Sequence, residues 1–286
     1  MSAENERIKV ELEGVPETLL WNLYNRAAEA RRPGSRLLED PRAVELVDRI
    51  DYPFDRFGSA PMAQWHALRV RCLDDEVRRF LAERPGGTVV ALGEGLETQF
   101  WRVDDGRVRW LTVDLPETVE VRRKLLPDDP PRRRSLACSA LDLRWMDAVG
   151  ADVPPRDVMV TAQGLLMYLP EADAKGLIAA CAERFPGGRF LFDALPRAMV
   201  ARNQAGALDS SDGRYRAPRW EWGMDVTEYR KVAAASPHIT EVRSLRFPRG
   251  RGLYAIAPLS HRIPGLRSLR MSIIAVRFGE DPGSAD

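Results

Sequence analysis

Two rhythms of apolar residues divide the chain at Pro85-Gly86-Gly87. Before that point apolar positions recur every three or four residues, the spacing of one helix face. "ETLLWNLYNRAAEA" (17–30), "DPRAVELVDRI" (40–50) and "APMAQWHALRVRCLDDEVRRFLAER" (60–84) predict three helices. Arg31-Arg32-Pro33-Gly34 ends the first, Asp40 is placed to cap the second with Pro41 in its first turn, and Pro85-Gly86-Gly87 stops the third. Beyond it, apolar runs of strand length alternate with helix-length segments: "TVVAL" (88–92), "RVRWLTV" (107–113), "SLACS" (135–139), "DVMVTA" (157–162) and "GRFLFDA" (188–194). Such alternation predicts right-handed crossovers and a mostly parallel sheet covered on both faces, an α/β fold. Two later runs, "ITEVRSLRF" (239–247) and "MSIIAVRF" (271–278), predict strands around a Gly/Pro-punctuated stretch with room for a short helix. Leu195 to Val232 reads as a long irregular insert rich in Arg, Gly and Trp, the kind that forms a lid or binding surface, and the tail 279–286 reads as disordered.

Composition narrows the function classes. At 286 residues the chain can bury a sizeable core as one large domain or two small ones. Its formal charge of +1, with both signs interleaved, offers no electrostatic reason to bind nucleic acid or an anionic membrane. The first residues are charged and lack an apolar signal-peptide core, and no apolar run reaches the ~18 residues of a membrane span. Cys72, Cys138 and Cys181 match no metal or disulfide spacing and read as buried free thiols. A cytoplasmic protein without a metal is expected.

Candidate chemistry begins at "TVVALGEGLETQFWRV" (88–103), where a strand, a glycine turn and a helix follow one another. In an open α/β sheet the ligand lies beyond the carboxyl ends of the strands, where strand order reverses. Gly93 and Gly95 permit positive φ and close approach of backbone to a ligand, which suits NAD, FAD and S-adenosylmethionine alike. Three features separate these. Thr98 stands where a dinucleotide fingerprint has its third glycine, Glu94 and Glu97 set anions where a pyrophosphate would dock, and no Walker motif is present. An acidic turn suits a cation, and S-adenosylmethionine carries an ammonium and a sulfonium without a phosphate. Asp114 ends the second strand about 20 residues on, where a carboxylate can accept from ribose hydroxyls or cap the next helix, with Leu115 beside it. Asp142, after the third strand, can accept from an adenine amino group with Leu143 packed by the ring, or simply cap a turn.

"VVALGEGLETQFWRV", "TVDLPETVEVRRKLLP", "SALDLRWMDAV" and "GLLMYLPEADAKGLI", in this order and spacing, resemble the leucine carboxyl methyltransferase-like superfamily, and within it the branch of tetracenomycin-type polyketide O-methyltransferases. Upstream "YNRAAEARRPGSRLLEDPRAVELVDRIDYPF" and "LRVRCLDDEVRRFL", and downstream "RFPGGRFLFDALP", extend the resemblance over roughly residues 20–195. It implies a class I methyltransferase fold, a seven-stranded, mostly parallel sheet with an antiparallel last strand. It implies one domain over 1–286: an N-terminal helical cap (1–85), a cofactor-binding core (86–194), a lid insert after strand five (195–237) and C-terminal strands (238–286). Carried over, Gly93 and Gly95 would line the methionine moiety, Asp114 with Leu115 the ribose, Asp142 and Leu143 the adenine, while Arg69 would pair with the cofactor carboxylate. The chain departs from the family pattern at Glu94, at Glu97-Thr98-Gln99 where Asp-Thr-Arg is usual, and at Gln163 where Glu is usual. Losing that charge beside the cofactor ammonium costs about 1 kcal/mol, and Glu94 is placed to restore it.

The expected function is therefore S-adenosylmethionine-dependent O-methyl transfer to a carboxylate or phenol of a small, polyketide-type molecule. Tyr168, after the fourth strand, is the candidate to orient the acceptor, and His66 is the one histidine placed to serve a phenol as base. A packed aromatic and a structural histidine are the plainer readings of these two. Tyr215, Trp220 and Trp222 suggest an aromatic wall for a flat substrate, or ordinary lid packing. Gln163 and the altered turn leave one alternative, a methyltransferase-fold protein that binds the cofactor but catalyses a non-methylating reaction or serves as a non-catalytic partner.

Overall fold

The computed structural model describes residues 7–10, 18–34, 36–57, 60, 62–126, 130–206, 218–262 and 270–280. Tyr215 and residues 281–286 of the tail lie outside these. The three N-terminal helices are α1 (Thr18–Ala30), α2 (Pro41–Arg49) and α3 (Ala63–Glu83). Asp40 caps α2 by accepting from the Ala43 N–H at 3.0 Å, with Pro41 in the first turn. Both choices use groups that a helix start would otherwise leave unsatisfied.

Seven strands follow: β1 (Thr88–Leu92), β2 (Arg109–Asp114), β3 (Arg133–Ala137), β4 (Val158–Ala162), β5 (Arg189–Ala194), β6 (Ile239–Ser244) and β7 (Ser272–Phe278). They form one sheet in the order β3-β2-β1-β4-β5-β7-β6. The first five are parallel, and β7 runs antiparallel to both β5 and β6. This is the class I methyltransferase arrangement. Alternate residues of each strand face opposite cores: Val90, Leu92 and Val160 belong to one, and Val89, Ala91 and Met159 to the other. That double burial is why these strands read as unbroken apolar runs.

Among the differences from expectation are two strand boundaries and one element. β3 begins at Arg133, two residues before the apolar run, because that arginine is buried against Glu94. β6 stops at Ser244 rather than Phe247. The insert is not wholly irregular: its first part is a helix, α4 (Arg197–Gln204), while residues 207–217 lie outside the described ones. In the Gly/Pro stretch, a 3₁₀ segment spans Gly252–Arg262.

Strand order reverses between β1 and β4, so their carboxyl ends open a crevice. Residues 93–98 after β1, residues 163–168 after β4 and helix α1 surround it.

Candidate cofactor and acceptor site

The crevice holds a cavity of about 280 Å³. Of the residues proposed from sequence for the cofactor, it brings together Arg69, Gly93, Glu94, Asp114, Leu115 and Gln163, with Tyr168 at the same wall. Gly95 does not line it but shapes it. Its N–H donates to Asp114 Oδ2 at 2.7 Å, and the Leu115 N–H donates to Oδ1 at 2.8 Å. Asp114 therefore does not cap the following helix, as one sequence reading allowed; it ties the end of β2 to the glycine turn. Burial raises its carboxyl above the ordinary aspartate range, partly offset by those two backbone donors.

Gly93 and Gly95 have φ of 59° and 56°, the left-handed region that glycine occupies freely. A Cβ on Gly95 would also collide with Leu19 Cδ2. Gly95→Ala is expected to cost about 1–2 kcal/mol from the backbone alone, read as a lower denaturant midpoint at unchanged slope. An unchanged midpoint would show that the turn relaxes without strain.

The acidic turn is not what its sequence suggested. Glu97 forms buried ion pairs with Arg26 at 2.9 Å and Arg102 at 2.8 Å. Glu94 pairs with Arg122 at 3.3 Å and Arg133 at 3.1 Å, and accepts a short hydrogen bond from Thr112. Arg26 and Arg102 also reach Asp40, and Arg102 reaches Asp74. Four arginines thus face four carboxylates, and the turn has no surplus of negative charge. Burial works to raise the Glu97 carboxyl, but Arg102 and Arg26 outweigh it and hold it at about 2. The expectation that free glutamates would draw in a cation, or that Glu94 would restore a lost charge at the ammonium, is corrected accordingly. Thr98 takes no glycine's role either: its hydroxyl lies 2.7 Å from Asp40 and accepts from Arg102 at 2.8 Å.

Gln163 carries the remaining acceptor. Its amide N–H donates to Glu97 Oε2 at 2.9 Å, which orients the amide and leaves Oε1 buried with no hydrogen-bond partner among the described residues. A buried carbonyl oxygen in that state at the cavity wall fits a cationic donor such as an amino-acid ammonium. Arg69 is less available. It is paired to Asp193 at 2.9 Å, and Asp193 also accepts from the Gly164 N–H at 2.6 Å. Sequence reasoning passed over Asp193, although a lone acid inside the apolar run "FLFDA" was the signal for it.

Asp142 and Leu143 are not brought into the cavity; Ser139, Ala140 and Leu141 line it instead. The Asp142 carboxylate is held by Arg144 at 2.6 and 2.8 Å, which lowers its pKa, and caps the 3₁₀ turn Leu143–Val149. Leu143 is 43% exposed.

A second, smaller cavity of about 90 Å³ adjoins the first, sharing Thr18, Asn22, Arg69, Gly164 and Tyr168. It is lined further by His66, Trp65, Met167, Met199, Trp220 and Met271. Burial raises the Tyr168 phenol, partly offset by Thr18 and Trp220 beside it, so the hydroxyl stays protonated at neutral pH. Among the described residues of the expected aromatic wall, Trp220 is here. Trp222 is core, stacked on Phe192 with ring centroids 6.2 Å apart.

The sheet order and this crevice define a class I methyltransferase. The leucine carboxyl methyltransferase family matches residues 20–182, and the chain belongs to that family. It is an S-adenosylmethionine-dependent methyltransferase. It is 36% identical over 188 residues to the tetracenomycin polyketide synthesis O-methyltransferase of Streptomyces glaucescens, a match covering 65% of this chain and 68% of that protein. It is 29% identical over 205 residues to an S-adenosyl-L-methionine-dependent methyltransferase of Gibberella zeae, with the same coverage of 65% and 68%. Among solved structures, magnesium protoporphyrin IX methyltransferase of Synechocystis with bound S-adenosylhomocysteine is 12% identical, with a TM-score of 0.45 over 92% of this chain and 99% of that one. No helix among the described residues is long and apolar enough to cross a membrane.

Proposed function

We propose that this methyltransferase acts on an oxygen, carboxylate or phenolic, of a small polyketide-type molecule. The observation that carries the reading is the second cavity, apolar and aromatic, meeting the cofactor crevice at Tyr168 and Arg69. The Streptomyces relative's role in polyketide synthesis supports the same substrate class.

In this reading Asp114 accepts from the ribose, Gln163 Oε1 from the ammonium, and Gly93 leaves room for the methionine chain. Leu115 and Leu141 flank the base, with Asp142 and Leu143 outside them at the rim. Bound S-adenosylmethionine supplies an activated methyl group on a sulfonium. The protein's task is to hold an acceptor oxygen in line with it, an effect of proximity and orientation. A protonated Tyr168 suits that task as a donor to the acceptor. The helices of residues 1–85 serve as cap and residues 195–237 as lid.

The test is calorimetry with S-adenosylhomocysteine, followed by labelled S-adenosylmethionine and a panel of aromatic polyketide acids and phenols. Binding and label transfer are expected, and Gln163→Leu should weaken binding about tenfold by removing one charge-assisted hydrogen bond. Absence of binding would overturn the reading.

A further inference from the structure

Resting on that reading, we propose that the smaller cavity is a recognition subsite for a neutral hydroxyl that the acceptor carries away from its reacting oxygen, and that His66 is the specificity-determining residue that binds this hydroxyl.

Three observations converge. His66 is 3% exposed, yet neither Nδ1 nor Nε2 has a hydrogen-bond partner among the described residues. Its ring meets Trp21 at 4.8 Å and 87°, which fixes its plane without satisfying either nitrogen. Buried polar atoms in that state call for a partner from outside the chain. Next, His66 lines the smaller cavity and does not line the crevice where the methyl donor belongs. That placement suits recognition of a part of the acceptor that does not react. Last, Arg69 stands three residues along α3, on the same helix face, and lines both cavities. Its Nη1 is engaged by Asp193, while its Nε is a buried donor with no partner among the described residues. The junction therefore suits a ligand with more than one oxygen, one to accept from Arg69 Nε and another to meet the imidazole.

The state of the imidazole selects the group. Burial keeps it neutral, with its pKa well below the ordinary 6.5; Arg69 and Arg26 of α1 act in the same sense, and Glu97 of the glycine turn opposes them. A neutral imidazole presents one N–H donor and one bare nitrogen that accepts. A hydroxyl both donates and accepts, so it satisfies whichever nitrogen it meets. A hydrogen atom in its place satisfies neither, and an ether oxygen cannot donate. An ionised group would lose its hydration beside Trp65, Met167, Met199 and Met271 in the same wall. Those side chains pack against the acceptor's ring, and His66 distinguishes what the ring carries.

Calorimetry on the full chain loaded with S-adenosylhomocysteine measures this recognition without turnover. Hydroxynaphthoic acids and dihydroxynaphthalenes are compared with naphthoic acid and naphthol, which lack the second hydroxyl, and with their methoxy counterparts. A hydroxyl at one ring position is expected to tighten binding about tenfold over both the parent and the methoxy compound. His66→Phe keeps a ring against Trp21 and removes both nitrogens. It should abolish that preference while binding the parent compound no more weakly. His66→Gln, which retains a donor and an acceptor, should keep part of the preference. With labelled S-adenosylmethionine the preference should appear in KM rather than kcat. Because the neutral imidazole is the binding form, it should stay level as pH falls through 6.5. Equal affinity for every hydroxylated compound and its parent in the wild-type protein, or a preference that survives in His66→Phe, would overturn the inference. Wild-type protein that fails to hold S-adenosylhomocysteine, or that holds it but none of these compounds, would instead overturn the reading beneath it.

Discussion

Replacing Glu94 with alanine is expected to destabilise the protein by about 3–5 kcal/mol, the cost of stripping a buried pair of one partner. The effect should be large because one carboxylate serves two guanidinium groups, those of Arg122 and Arg133. Both arginines also lie over the Trp101 ring, with the guanidinium carbons 5.8 and 5.2 Å from its centroid. Without Glu94 they would lose their shared carboxylate in low dielectric, and the Gly95 carbonyl, the Thr112 hydroxyl and the ring repay only a fraction of the desolvation. Equilibrium unfolding in urea measures the loss. Glu94→Gln, which keeps an acceptor but no charge, should fall between. A Glu94→Ala protein as stable as wild type would mean that water reaches these arginines and the pairs contribute little.

Asp114→Ala is expected to weaken S-adenosylhomocysteine binding by about 100-fold or more. Two hydrogen bonds to a charged acceptor contribute about 1.5–3 kcal/mol each, and about 1.4 kcal/mol is a factor of ten. The loss has a second source. The Asp114 carboxylate accepts from Gly95 and Leu115, so removing it frees both N–H groups and loosens the turn that borders the cavity. Calorimetry on the variant and on Asp114→Asn separates the two. The amide retains one oxygen acceptor and should lose less. Affinity unchanged in both would place the ribose elsewhere.

Much of the architecture is local and therefore readable from the chain. Asp40 followed by Pro41 caps a helix wherever it stands, and "TVVAL" must be a strand buried on both faces because no polar side is available to turn outward. The glycine pair fell where a left-handed backbone was needed, and the order of motifs pointed to the family that residues 20–182 match. The lining of the crevice was legible in part for the same reason: Asp114 ends a strand and Gln163 follows one, and the ends of parallel strands converge whatever lies between them.

The charges could not be read that way. Glu94 and Glu97 look exposed and acidic in a linear chain, because their partners Arg26, Arg122 and Arg133 stand far from them in sequence. Only the folded chain brings those arginines in and cancels the field. Tertiary packing likewise consigned Trp222 to the core and buried His66 with neither ring nitrogen hydrogen-bonded among the described residues. Periodicity along the chain determined which elements form and where the crevice opens, since each follows from neighbours a few residues apart. Which side chains in the crevice stay free to do chemistry was decided by contacts between distant segments, because a polar group's availability depends on every other group that reaches it.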